Sequence, residues 1–211
     1  MKIYKKFKFQ QNKKLIVQDK ELDKIIELIN NSKWVFSNFE SEIINAKEFS
    51  QINEWIGGNH DFILKYNAKR DGCNAEIFHQ KCDNLKGSLI ICKPINNDII
   101  GGYISTKILK EDKFYDDKNA FLFNLTKNFV RKNKKSYTNA IKNFNDSSNL
   151  IRFGNGCPVF ILSASCIIDN KSMVTSCTCN NTNYDCQNKN IFDTSGGVSF
   201  QVENLEVFEV N

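Results

Sequence analysis

The chain has 211 residues, 41% of them hydrophobic and 25% charged, with a formal net charge of +5 and a pI near 8.7. That length and balance suit one soluble globular domain with at most a short appendage. No run approaches the roughly 18 apolar residues of a helical membrane span. The stretch with Lys2, Lys5, Lys6 and Lys8 lacks the apolar core of a signal peptide, so a cytoplasmic protein with reduced thiols is expected.

Residues 1–38 read as a basic segment carrying one amphipathic helix, in which Asp19 caps Leu22, Ile25, Ile26 and Ile29 at helical spacing. Residues 39–211 read as the domain proper. Asn45 with Glu48 three residues on is a capping-box pattern, opening a helix with Phe49, Ile52, Trp55 and Ile56 along one face and Gly57 and Gly58 at its end. Phe62, Leu64 and Tyr66 alternate as a strand, broken at Arg70, Asp71 and Gly72. Ala75, Phe78 and Cys82 then share one side of a short helix. Ser88 to Cys92 and Ile99 to Tyr103, separated by Pro94, Asn96, Asn97 and Asp98, read as a hairpin.

Ser105 to Lys118 is polar and reads as an exposed loop. Ala120 to Leu125 is apolar except for Asn124, as in a strand buried on both faces. Residues 126–149 suggest one weak strand near Tyr137 and Ile141. Short β segments follow at Leu150 to Phe153, Val159 to Leu162 and Cys166 to Ile168, and Val198, Phe200 and Val202 alternate as a last strand. Near Glu203 and Asn204 the parity slips by one, which predicts a bulge or tight turn.

Several constellations invite chemistry. His79, Cys82 and Asp83 share a helical face, the pattern of a metal half-site or of a His tuning a thiolate; no second His or Cys pair is in reach, and bonds to neighbouring loops are the preferred reading. Arg70 and Asp71 before Gly72 read as a turn. Gly101 and Gly102 lack the Lys and Ser or Thr of a phosphate loop, and read as a sharp turn or a close approach. Cys177, Cys179 and Cys186 match no zinc knuckle. Lys127, Arg131, Lys132, Lys134 and Lys135 form the one dense basic cluster, read as a solvated loop and a candidate contact face rather than a nucleic-acid site. No catalytic residue, metal or cofactor is expected.

Together Lys65 to Gly72, then Phe78, His79, Cys82 and Asp83, then Gly87, Leu89 and Lys93, then Gly101, Gly102 and Tyr103 resemble the TLDc domain of the oxidation resistance protein family. Asp116, Ala120, Phe121, Leu122, Phe123 and Leu125 match that family's central strand motif, and Glu206, Val207, Phe208 and Val210 its ending. The chain departs from the family where Thr106, Lys107 and Ile108 replace an expected Trp, and where Ser165 stands near an expected Asp.

The resemblance implies an α+β fold, two mostly antiparallel β-sheets in a sandwich flanked by short helices, with residues 45–56 and 74–83 on the outside. It also implies a non-enzymatic protein-binding module that docks on a large cytosolic assembly such as the catalytic sector of the vacuolar proton-pumping ATPase. A role in oxidative-stress protection comes with it, at a location peripheral to an organelle membrane through the partner. The alternatives are a thiol-based redox sensor using Cys73 or Cys82, and a structural subunit of another assembly docked through residues 19–30.

Overall fold

The computed structural model describes residues 40–95, 98–107, 109, 111–133, 139–145, 149–154 and 202–211, with Lys24 and the strand backbones at 160–163, 174–176 and 199–201. Residues 40–211 make up one unit. Its helices are α1 (Ala46–Ile56), the single turn α2 (Ala68–Asp71) and α3 (Ala75–Cys82). Its strands are β1 (Phe62–Asn67), β2 (Ser88–Pro94), β3 (Ile100–Ile104), β4 (Phe114–Tyr115), β5 (Phe121–Asn124), β6 (Phe129–Lys132), β7 (Ile141–Asn143), β8 (Asn149–Phe153), β9 (Phe160–Ser163), β10 (Val174–Ser176) and β11 (Ser199–Val210).

Among the described residues every pairing is antiparallel, and the strands make two sheets in an α+β sandwich. The large sheet runs β1-β11-β2-β3-β5-β6, with β10 on the first residues of β11; the small sheet runs β4-β7-β8-β9. The parity slip in the sequence becomes a bulge, since Val202 pairs with Pro94 and Asn204 with Lys93, leaving Glu203 over. Side chains after the bulge return to register with β2, which puts Leu205 and Val207 into the core between the sheets.

That core gathers Ile90, Cys92, Ile100, Leu122, Leu205 and Val207 of the large sheet against Ile141, Ile151 and Phe153 of the small one. Gly102 of β3 is where the sheets come closest. A Cβ there would lie 2.5 Å from Cζ of Phe153, so a methyl group would drive the ring out of its seat. Gly101 faces the other way, where a Cβ would collide with the carbonyl of Ile90 and the ring of Phe123.

On that outer face α1 lies across the large sheet. Its start is fixed locally: the Asn45 side chain accepts from the N–H groups of Lys47 and Glu48, and the Glu48 carboxylate accepts from the Asn45 N–H. Its end is fixed by Gly57, at φ +94°, a left-handed conformation that suits glycine. Phe49 packs edge-on to Phe62 at 4.7 Å, and Trp55 tilts over Phe123 at 6.0 Å.

α3 flanks the sandwich: its buried face, with Ala75, Phe78 and Cys82, packs on β1 and β8 and joins the core, while Glu76 and Gln80 are exposed. The structure corrects several other expectations. Arg70 and Asp71 belong to α2, which continues from β1 without a break because Asn67 caps it. Residues 105–118 are not a plain exposed loop, since they contain β4 and the buried Asp117. The described part of residues 126–148 includes β6 and β7, so Arg131 and Lys132 lie on a strand rather than in a solvated loop. Cys73 is disulfide-bonded and only partly buried, not a free buried thiol. The helix read over residues 19–30 (apart from Lys24), the strand at Cys166 to Ile168, Lys134, Lys135 and Cys177 to Cys186 lie outside the described residues.

Candidate functional site

At the β1 end of the large sheet, polar groups from two segments, the strap at Ser41 and Glu42 and the end of β1 at Asn67, converge on Glu206. This carboxylate sits in an apolar strand, on the outer face of β11, and is completely buried. Its Oε2 accepts from the Ser41 hydroxyl at 2.6 Å, while Oε1 accepts from the Glu42 N–H at 2.9 Å and from Asn67 Nδ2 at 3.2 Å. The Ser41 hydroxyl in turn accepts from the N–H groups of Ile43 and Ile44. The strap from Ser41 to Ile44 is thereby tied to a strand more than 160 residues away. Burial pushes the Glu206 carboxyl above its usual value, and the bonds from Ser41 and Glu42 pull the other way.

Asn67 links this carboxylate to Arg70, Asp71 and Gly72. Its side-chain oxygen caps α2 through the N–H groups of Lys69 and Arg70, and its own N–H donates to Asp71 Oδ2 at 2.9 Å. Arg70 grips Asp71 through Nε at 2.9 Å and Nη2 at 3.0 Å, and Lys81 of α3 reaches the same carboxylate at 2.9 Å. The Arg70 guanidinium holds the Asp71 carboxyl well below the usual carboxylate range. Gly72 closes the turn at φ +90°, and its carbonyl accepts from the Tyr66 hydroxyl. These groups hold backbone in place; Arg70, Asp71 and Gly72 form a joint between β1, α2 and α3.

His79 and Asp83 meet at 3.0 Å through Nδ1, and Asn143 Nδ2 donates both to Asp83 and to the carbonyl of Leu109. This ties α3 to β7 and to the loop between β3 and β4. His79 Nε2 is buried without a hydrogen-bond partner. Burial raises the Cys82 thiol well above its ordinary value, so Cys82 beside His79 is not an activated thiolate. Cys92, fully buried, is pushed up in the same way. Among the described residues no group of three His, Cys, Asp or Glu side chains is placed to hold a metal ion, and no helix is long and apolar enough to cross a membrane.

A third hub is Asp117. Its carboxylate accepts from the N–H groups of Ser105, Thr106, Asn119 and Ala120 and from the Ser105 hydroxyl, folding the loop between β3 and β5 onto itself. Sequence reasoning missed it, although an Asp two residues before Asn119 at the mouth of an apolar strand is a local capping pattern. It also missed Ser41 and Asn67 as partners of Glu206; the available signal was a lone acid inside an apolar strand.

The basic residues divide. Lys127 pairs with Asp98 at 3.2 Å in the turn before β6. Arg131 and Lys132 lie on β6, and neither makes an ion pair among the described residues. Tyr103 and Phe121 pack against each other at 5.2 Å on the outer face, so Tyr103 serves the core.

Comparison with known proteins follows the same residues. The family model described as the TLDc domain matches residues 37–211. Among curated proteins the chain is similar to TBC1 domain family member 24 of Xenopus tropicalis, 29% identical over 72 residues; the match covers 33% of this chain and 13% of that protein.

Proposed function

This chain belongs to the TLDc domain family, and from that premise we propose that it is a non-enzymatic protein-binding module. Its target is a large cytosolic assembly, with the catalytic sector of the vacuolar proton-pumping ATPase as the leading candidate and protection from oxidative stress as the setting. The observation that carries this reading is the contrast in how charges are used. Arg70, Asp71 and Glu206 are engaged in internal hydrogen bonds, whereas Arg131 and Lys132 stand on a sheet edge without counter-charges among the described residues. The contact face comprises Lys127, Arg131 and Lys132, followed in sequence by Lys134 and Lys135.

The test is recovery of the tagged protein from its own cells at low salt, with co-purifying chains identified by mass spectrometry. Recovery of proton-pump subunits, lost when the charges from Lys127 to Lys135 are reversed, supports the reading. Recovery of an unrelated assembly sinks the pump assignment, and recovery of no protein partner sinks the module itself.

A second reading, a thiol-based redox sensor, draws on the disulfide at Cys73. Here the responsive group is that disulfide and not Cys82 or Cys92, whose thiols burial keeps protonated. Mass-spectrometric titration with peroxide and with reductant separates the two readings. A sensor changes its Cys73 state reversibly and alters partner recovery as it does so; a plain binding module recovers its partner in either state.

A further inference from the structure

The outer edge of β6 has a backbone pattern that follows from its pairing. Asn133 donates its N–H to the carbonyl of Ala120 at 3.0 Å, immediately beyond the β5 and β6 ladder. In an antiparallel pair the bonded and non-bonded positions alternate, so Arg131 opposite Leu122 and Phe129 opposite Asn124 bond to β5. Val130 and Lys132 therefore direct their N–H and C=O groups away from the sheet. Among the described residues β6 pairs with β5 alone and ends the large sheet.

Arg131 occupies this edge in a particular way. Its Nη1 donates back to the Val130 carbonyl, one of the outward groups, at 3.3 Å, and its guanidinium lies over the Phe129 ring at 4.7 Å. Its Nε is buried and has no acceptor. The neighbouring Lys132 is exposed, and β6 carries no acid. A positively charged edge with two outward backbone donors that have no acceptor among the described residues fits a segment that supplies carbonyls along its backbone and carboxylates along its sides.

We propose that the outer edge of β6 binds an extended acidic protein segment as an added strand, with Arg131 as its gate. This deepens the binding-module reading and rests on it. As the segment docks, the Arg131 guanidinium leaves the neutral Val130 carbonyl for an incoming carboxylate, a stronger charge-assisted partner. The freed carbonyl then accepts a backbone N–H from the segment, and the N–H groups of Val130 and Lys132 donate to it. Lys132 pairs with a second carboxylate.

Amide hydrogen exchange on the full chain tests this, using as probe a soluble peptide of about six residues, the length of an ordinary strand, in which Glu-Glu pairs separated by Val put carboxylates on both faces to meet Arg131 and Lys132. With saturating peptide, exchange at Val130 and Lys132 is expected to slow by about tenfold or more, while Phe129 and Arg131, already bonded to β5, change little. The double variant Arg131→Glu, Lys132→Glu is expected to lose the protection while its unperturbed amides report an intact fold. Equal protection from a Lys and Val peptide overturns the acidic commitment. Binding of a backbone N-methylated Glu and Val peptide with the same affinity overturns strand addition, as does the absence of slowing. Partner recovery separates this inference from its premise: if the double variant still captures the same assembly, the edge proposal fails and the module reading stands.

Discussion

The two ends of the large sheet are built from similar residue types and treat them in opposite ways. At the β1 end the charges of β1, α2 and β11 are answered. Lys65 pairs with Glu209 at 2.9 Å, Asp71 is shared by Arg70 and Lys81, and Glu203 by Lys69 and Lys93. Beside them α2 and α3 lean on β1, and the strap at Ser41 seals Glu206. At the β6 end the cations of the strand have no described counter-ions, and the outward backbone groups have only Arg131 folded over one of them. The same charge is structural at one edge and available at the other, and the difference lies in whether a second segment of the chain is brought to meet it.

Mutation should separate the two ends most sharply at Glu206. Glu206→Ala leaves the Ser41 hydroxyl, the Glu42 N–H and the Asn67 amide without their acceptor, and denaturant unfolding is expected to show a loss of about 2–4 kcal/mol. A cost below about 0.5 kcal/mol would mean that the β1 end is as open as the β6 end. Asp71→Asn removes the charge that Arg70 and Lys81 share, and a smaller loss of about 1–2 kcal/mol is expected.

The two carboxylates also give opposite pH dependences. Asp71 has its folded pKa below the unfolded value, so its stabilisation is present above about pH 4 and is lost as pH falls through the folded pKa. Glu206 has its folded pKa above the unfolded value, so its contribution is fully present below about pH 4.3 and is lost as pH rises through the folded pKa. Acidification from neutrality toward about pH 4.3 should therefore stabilise the parent relative to Glu206→Gln; parallel stability profiles for the two would refute the assignment. The smallest effect is expected at the open end, where Lys132→Glu should shift stability by under about 0.5 kcal/mol in thermal or urea melts.

Features written over short sequence distances were legible. The capping box of Asn45 and Glu48, the hairpin of β2 and β3, and the bulge at Glu203 each depend on residues within a turn or on the parity of one strand. What the sequence hid was non-local. Glu206 shows only as an acid in an apolar run until Ser41 and Asn67 are folded onto it. β6 was masked by its own cations, because Arg131 and Lys132 in an Asn- and Lys-rich stretch look like loop residues. Their strand exists because β5, a strongly apolar neighbour, supplies the ladder, so tertiary context overrides composition. The apolar face of α3, Ala75, Phe78 and Cys82, was legible, but its seat against β1 and β8 was not.

The position of β11 also sets a timetable. It lies between β1 and β2, and its bond from Asn67 to Glu206 spans 139 residues. At ordinary rates of synthesis that separation is roughly 7–28 s, during which β1 has been made but the strand that pairs with it has not. The apolar edge of β1 waits over that interval for its partner, which places the main aggregation risk of the nascent domain before β11 arrives.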